Sequence, residues 1–202
     1  MIRSNKYNGG LTREQFLFYE IRIVARLVLE GMSREDILKK LKEENLFQFP
    51  TERMINSIAN ACFRRIDALD SEYLVRELAE GSMDIAKQIN LYAMMRYNRI
   101  VWDFMVSVVG EKYRTQDLEL SQKDLNLFFM RLQEQNDDVA GWSESTINKI
   151  KQVLKKSLIE CGFIDSSRAT KLNPVYLYEE LASVIRQHED YDALAAFNCL
   201  EG

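Results

Sequence analysis

Proline is nearly missing from this chain of 202 residues: Pro50 and Pro174 are the only two, and glycine occurs eight times. Sheet-rich proteins need turn residues in number, whereas long helices tolerate neither residue well. The shortage therefore points to an all-α protein. Histidine occurs once, at His188, in an acidic stretch that reads as incidental surface. A lone histidine cannot build a histidine-based metal site, and no cysteine cluster stands near it. Cys62, Cys161 and Cys199 are widely spaced, with no Cys-x-x-Cys pair. That spacing suits buried free thiols better than a disulfide framework or a metal site.

A surplus of positive charge is also lacking. Lysine and arginine number 27 against 31 acids, for a formal net charge of -4. A strongly basic chain would have pointed to nucleic acid outright, and this one does not. No apolar run approaches the roughly 20 residues that cross a bilayer, since Arg22 and Arg26 break the most apolar early stretch. The first ten residues are polar, without the apolar core of a secretion signal. The expectation is a cytoplasmic protein that makes no membrane contact.

The glycine patterns of phosphate loops, dinucleotide sites and nucleophile elbows are all absent. Gly9-Gly10 is isolated and reads as an extended lead-in. The carboxylates are not paired in an apolar setting that would raise a pKa for acid-base chemistry. Tyr92, Tyr97, Trp102 and Phe104 fit core packing better than base stacking. We expect no enzyme, no cofactor, no metal and no small-molecule substrate.

What is present is a succession of helix signals. Thr12 can cap a first helix running to Glu30 and stopped by Gly31. Ser33, with Asp36 three residues on, caps a second that ends near Asn45. Thr51 caps a third to about Leu69, and Asp70 or Ser71 opens a fourth, stopped by Gly81. Ser82 caps an apolar stretch to Arg114, read as two helices meeting near Tyr97 or Asn98. Ser121 with Asp124 opens another, and Asn136 to Gly141 reads as a polar loop. Ser143 opens a long helix closing at Cys161-Gly162. Phe163-Ile164 and Thr170–Leu172 are candidate extended pieces, enough for a minimal β-wing near 163–172. Asn173-Pro174 looks like an N-cap followed by proline at the first helical position. A final short helix begins near Asp190.

The order suggests a multi-helix bundle of two helical subdomains, 1–81 and 82–202. The second includes an acidic tail. A weak internal echo supports the division. Ser33-x-x-Asp36-Ile37 opens a short helix before the longer one at Thr51, and Ser121-x-x-Asp124-Leu125 opens one before the longer one at Ser143. That is the arrangement of a helix-turn-helix unit.

Wheels at about 100° per residue separate the faces of the two longer helices. After Ser143, the residues Ile147, Ile150, Val153, Leu154, Leu158 and Cys161 share one arc. Ser145, Asn148 and Gln152 lie opposite. Lys151 and Lys155 flank them on one edge, Lys149 and Lys156 on the other. Lysines so placed can reach phosphates while amides approach base edges. The competing explanation is a plain solvated face, which the paucity of acids weakens because ordinary solvated faces usually mix both signs. After Thr51, Met54, Ile55, Ile58, Ala59, Cys62, Ile66 and Leu69 form the apolar arc. Arg53, Asn56, Ser57, Asn60 and Arg64 lie opposite with Asp67, and Arg65 sits at an edge.

One further signal lies in the order of short motifs. Gly9-Gly10-Leu11 precedes a helix with Ala25-Arg26-Leu27, and Glu43-Glu44-Asn45-Leu46 follows. Arg96-Tyr97, Trp102-Asp103-Phe104, Leu118-Glu119-Leu120 and Phe128-Phe129 come next. Ser143-Glu144-Ser145-Thr146 opens the lysine-rich helix that closes on Glu160-Cys161-Gly162-Phe163-Ile164. From about Gly9 to Ile164 the succession resembles the BrxA family of the bacterial BREX phage-defence systems. The resemblance implies a cytoplasmic all-helical protein that binds double-stranded DNA and supports phage exclusion beside the other BREX proteins. The family has also been likened to NusB, a helical RNA-binding antitermination factor, which leaves RNA as an alternative ligand. The acidic, tyrosine-bearing tail (Tyr176, Tyr178, Tyr191) leaves a protein-interaction adaptor as another.

Overall fold

Serine and threonine caps set most of the helix boundaries. The computed structural model describes residues 6–200. The polar lead-in before Lys6 and the last two residues of the acidic tail lie outside the described residues. A 3₁₀ turn at Gly9–Thr12 precedes helices α1 (Phe18–Leu29), α2 (Arg34–Glu43), α3 (Glu52–Leu69), α4 (Glu72–Glu80) and α5 (Met83–Tyr97). Then come α6 (Arg99–Phe104), a π-helical turn (Met105–Gly110) and α7 (Glu111–Thr115). The chain continues with α8 (Gln122–Gln135), α9 (Asp137–Ala140), α10 (Glu144–Glu160), α11 (Glu179–Gln187) and α12 (Asp192–Ala196). Ser33, Thr51, Ser71, Ser82 and Ser143 each accept a hydrogen bond from a first-turn amide, as their positions predict. Asn98 ends α5 and caps α6.

The core is built around α5, where every residue from Ile85 to Arg96 is buried except Lys87. α3 and α4 pack on it, and α1 lies across α3 and α4. α12 closes over the π-helical turn, where a Cβ on Gly110 would sit 3.1 Å from the Ala196 nitrogen. A side chain there would push the α12 backbone back by a few tenths of an ångström. α10 packs against the 3₁₀ turn near the N-terminus.

Several local expectations are corrected. The first helix starts at Phe18, six residues after Thr12, and Leu17 before it is left-handed at φ 52°. The carbonyls of Glu14, Gln15 and Phe16 are taken by the buried Arg65 guanidinium at 2.6, 2.6 and 2.8 Å, so they cannot start a helical ladder. Arg65 is accordingly no edge residue: it is 1% exposed. The 136–141 loop contains the single-turn helix α9. Asn173 caps no helix. Its side chain donates to Gly162 O and Asp165 Oδ1, and the chain runs on without helix to α11 at Glu179. Gln88 holds that run, donating to Tyr176 O and accepting from Tyr178 N.

No β-wing forms among the described residues. Leu120 N donates to Thr170 O and Leu172 N to Leu118 O, leaving one isolated antiparallel bridge, Glu119 to Lys171. Phe163 accepts from Asn173 N, and its own N–H turns back to Leu158 O at the end of α10. His188 is no incidental surface residue either. Its Nδ1 lies 3.0 Å from the Tyr92 hydroxyl, beside the buried Arg96–Asp190 pair at 3.0 Å. Burial pushes its pKa below the ordinary histidine value, with the Arg96 charge acting the same way.

Candidate nucleic-acid interface

α10 owes its position to its apolar arc. Ile147, Ile150, Val153, Leu154 and Leu158 are buried, as is Ser157 between them. Ser145, Asn148, Lys149, Gln152 and Lys156 are exposed on the other side. Glu144 sits at the N-terminal end, and Glu160 at the other end pairs with Lys87 at 3.6 Å.

The four lysines are not equivalent. Lys149 is exposed. Lys151 is half-buried, donates to Asn126 Oδ1 at 2.8 Å and lies 5.5 Å from the Phe129 ring centre. Desolvation there lowers its pKa, against the pull of Glu144. Lys155 reaches the Ser167 carbonyl at 3.4 Å, and Lys156 reaches Gln15 Oε1 at 3.3 Å.

The outer face of α3 is narrower than the wheel suggests, because Ala61, Phe63, Arg65 and Ala68 are buried together with the apolar arc. Arg53, Ser57 and Asn60 are exposed, and Asn56 is half-buried. Asn60 donates back to Asn56 O at 2.8 Å. Arg64 turns along the protein, pairing with Glu14 at 2.5 Å and lying 5.4 Å from the Tyr97 ring centre. Asp67 is neutralised by Arg34 at 2.6 Å. Met54, assigned to the apolar arc, is 43% exposed.

The segment Glu14–Phe16 lies between these helices. α3 grips it through Arg64 and Arg65, and α10 touches it through Lys156. Arg64 and Lys156 thus end on adjacent residues, and the two polar faces adjoin there.

A groove of about 510 Å³ between α8 and α10 extends the α10 face, with Gln122, Asn126, Gln133, Asn148 and Lys151 among its lining. The α8 amides were not among the residues singled out by sequence. Their spacing, four and then seven positions, places them on one helical face and could have been read. The strap at Glu14–Phe16 had no such signal.

Fold and surface together define a class: an all-helical bundle whose longest helices, α3 and α10, each leave a polar, cation-bearing face at the surface. No described helix is long and apolar enough to cross a membrane. The BrxA family model matches residues 5–189. A BREX protein BrxA from Bacillus cereus is 32% identical over 171 residues, covering 85% of both chains. One from Escherichia coli is 26% identical over 96% of this chain and 92% of its own length. The crystal structure of an uncharacterized protein from Magnetospirillum magneticum shares the fold, with a TM-score of 0.81 at 21% identity over 96% of this chain and 99% of that one. The chain belongs to the BrxA family.

Proposed function

We propose that this protein serves a BREX phage-defence system as a non-catalytic accessory protein that binds double-stranded DNA. One observation carries the reading. Between Glu144 and Glu160 at its two ends, α10 exposes Ser145, Asn148, Lys149, Gln152 and Lys156 and no carboxylate. Lysines at the edges suit phosphates, and the amides between them suit base edges, adenine above all. α2–α3 and α8–α10 act as helix-turn-helix-like units, each presenting its longer helix to the duplex. Arg53, Asn56, Asn60 and Arg64 form the second contact, joined to the first across Glu14–Phe16. Arg64 would have to leave Glu14 to reach a phosphate, so Arg53 carries more of that contact.

A mobility-shift titration of the isolated protein on a duplex at low salt tests the reading. A shift at micromolar protein supports it, and none at that concentration rules it out. A second reading, docking of a basic protein partner, rests on a separate surface. Tyr176 is 76% exposed, and the Tyr73 pKa is raised by desolvation and then by the charges of Glu77 and Glu180. Binding to other BREX proteins after nuclease treatment, with no duplex affinity, would favour it.

A further inference from the structure

A cleft of about 360 Å³ opens between the N-terminal end of α3 and the C-terminal end of α10, walled by the Arg13–Glu20 segment. Its lining is unlike the polar faces beside it. Phe16, Phe18, Tyr19 and Phe49 supply aromatic rings, and Met54 and Ile58 add apolar surface from α3. Phe18 and Tyr19 meet edge to face at 5.5 Å between ring centres, yet Tyr19 is 70% exposed. Leu17, in the same wall, holds the left-handed conformation that non-glycine residues rarely adopt.

We propose that this cleft receives a single unstacked base from the DNA held by α3 and α10. The inference rests on the duplex-binding reading above. Three observations carry it. The cleft is lined by Met54 and Ile58 of α3 and by Lys156 and Glu160 of α10, so it adjoins both helices of the proposed contact. Its rim carries Arg13 and Lys156, cations suited to the phosphates on either side of a displaced nucleotide. Its walls combine one exposed ring, Tyr19, with hydrogen-bonding groups, which a base needs on leaving the stack.

The acids of the lining refine the choice of base. Glu160 is held by Lys87 at 3.6 Å. Glu20 is an acceptor for an exocyclic amine, which adenine, cytosine and guanine carry and thymine lacks. Gln15 accepts from Lys156 through Oε1 and keeps its amide protons for a ring nitrogen or carbonyl.

The test compares two labelled duplexes by fluorescence anisotropy: one fully paired, the other identical except for one bulged adenine. The intact chain should bind the bulged duplex roughly tenfold more tightly, the scale of one base–aromatic stack. Tyr19→Ala, an exposed position, should bring the bulged-duplex affinity down to the paired one. Lys149→Ala should weaken both duplexes in parallel. Equal affinities for the two duplexes, or a preference that survives Tyr19→Ala, would overturn the cleft assignment while leaving duplex binding standing. If neither duplex binds, the cleft assignment and the proposed function fail together.

Discussion

Arg65 of α3 and Lys156 of α10 both reach the strap at Glu14–Phe16, and they arrive in opposite conditions. Arg65 is buried and its two terminal nitrogens donate to three backbone carbonyls, leaving its buried Nε without a partner. Lys156 is exposed and touches one side-chain amide. On a wheel the two helices look alike: an apolar arc, short polar residues opposite and cations at the edges. In the fold, α3 turns Arg64 and Arg65 toward the protein, whereas α10 keeps Lys149 and Lys156 at the surface. Cation identity accounts for part of this. A planar guanidinium can serve several carbonyls at once and is weakly hydrated, while an ammonium holds its water. Arg64 and Arg65 of α3 fasten the N-terminal segment, while Lys149 and Lys156 of α10 stay exposed.

The largest expected effect lies on the buried side of this comparison. Arg65→Met should cost more than about 3 kcal/mol of stability, because it strands carbonyls that now bind a charged donor. Phe16 O alone would keep a partner, the Asn90 amide at 2.6 Å. The denaturation midpoint in urea should drop with its slope unchanged. Wild-type stability would show that the strap is not held this way. On the exposed side, Lys149→Ala should lower duplex affinity without shifting that midpoint, since exposed substitutions stay within about 0.5 kcal/mol. A smaller effect on binding is expected from Lys151→Ala, whose amine is committed to Asn126. An equal loss from the two variants would mean that Lys151 is released on binding.

The smallest effect concerns pH. His188 has a lowered pKa in the fold, so the unfolded chain binds the proton more readily. Stability should therefore be fully present above the ordinary histidine pKa of about 6.5 and decline as pH falls below it. His188→Gln should flatten that part of the profile, measured by urea midpoints across the window. An unaltered profile would place the effect on other groups.

Most of the fold was legible because it is written locally. Ser33, Thr51, Ser82 and Ser143 cap where hydroxyls before apolar periodicity should. Gly31 after α1 and Gly162 after α10 adopt the expected positive φ, 78° and 74°. The misreadings occur where distant residues compete for the backbone. Thr12 failed as a cap because Arg65, about fifty positions away, holds the carbonyls that a helix would need. Asn173 failed because its amide is drawn to Gly162 and Asp165. The proposed interface was half legible for the same reason. Wheels find which residues face outward on α10, but they cannot see that Arg64 meets Glu14 or that Lys151 meets Asn126.

Duplex affinity measured against salt, for the intact protein and for the variant with Lys149, Lys151, Lys155 and Lys156 replaced by alanine, tests the central claim most directly. If α10 neutralises DNA phosphates, log affinity should fall linearly with log salt. With Lys151 held by Asn126, three lysines remain for phosphates, and at about 0.9 per contact the slope of the variant should be shallower by roughly 2.7. Equal slopes for the two proteins would contradict the assignment of this face to DNA.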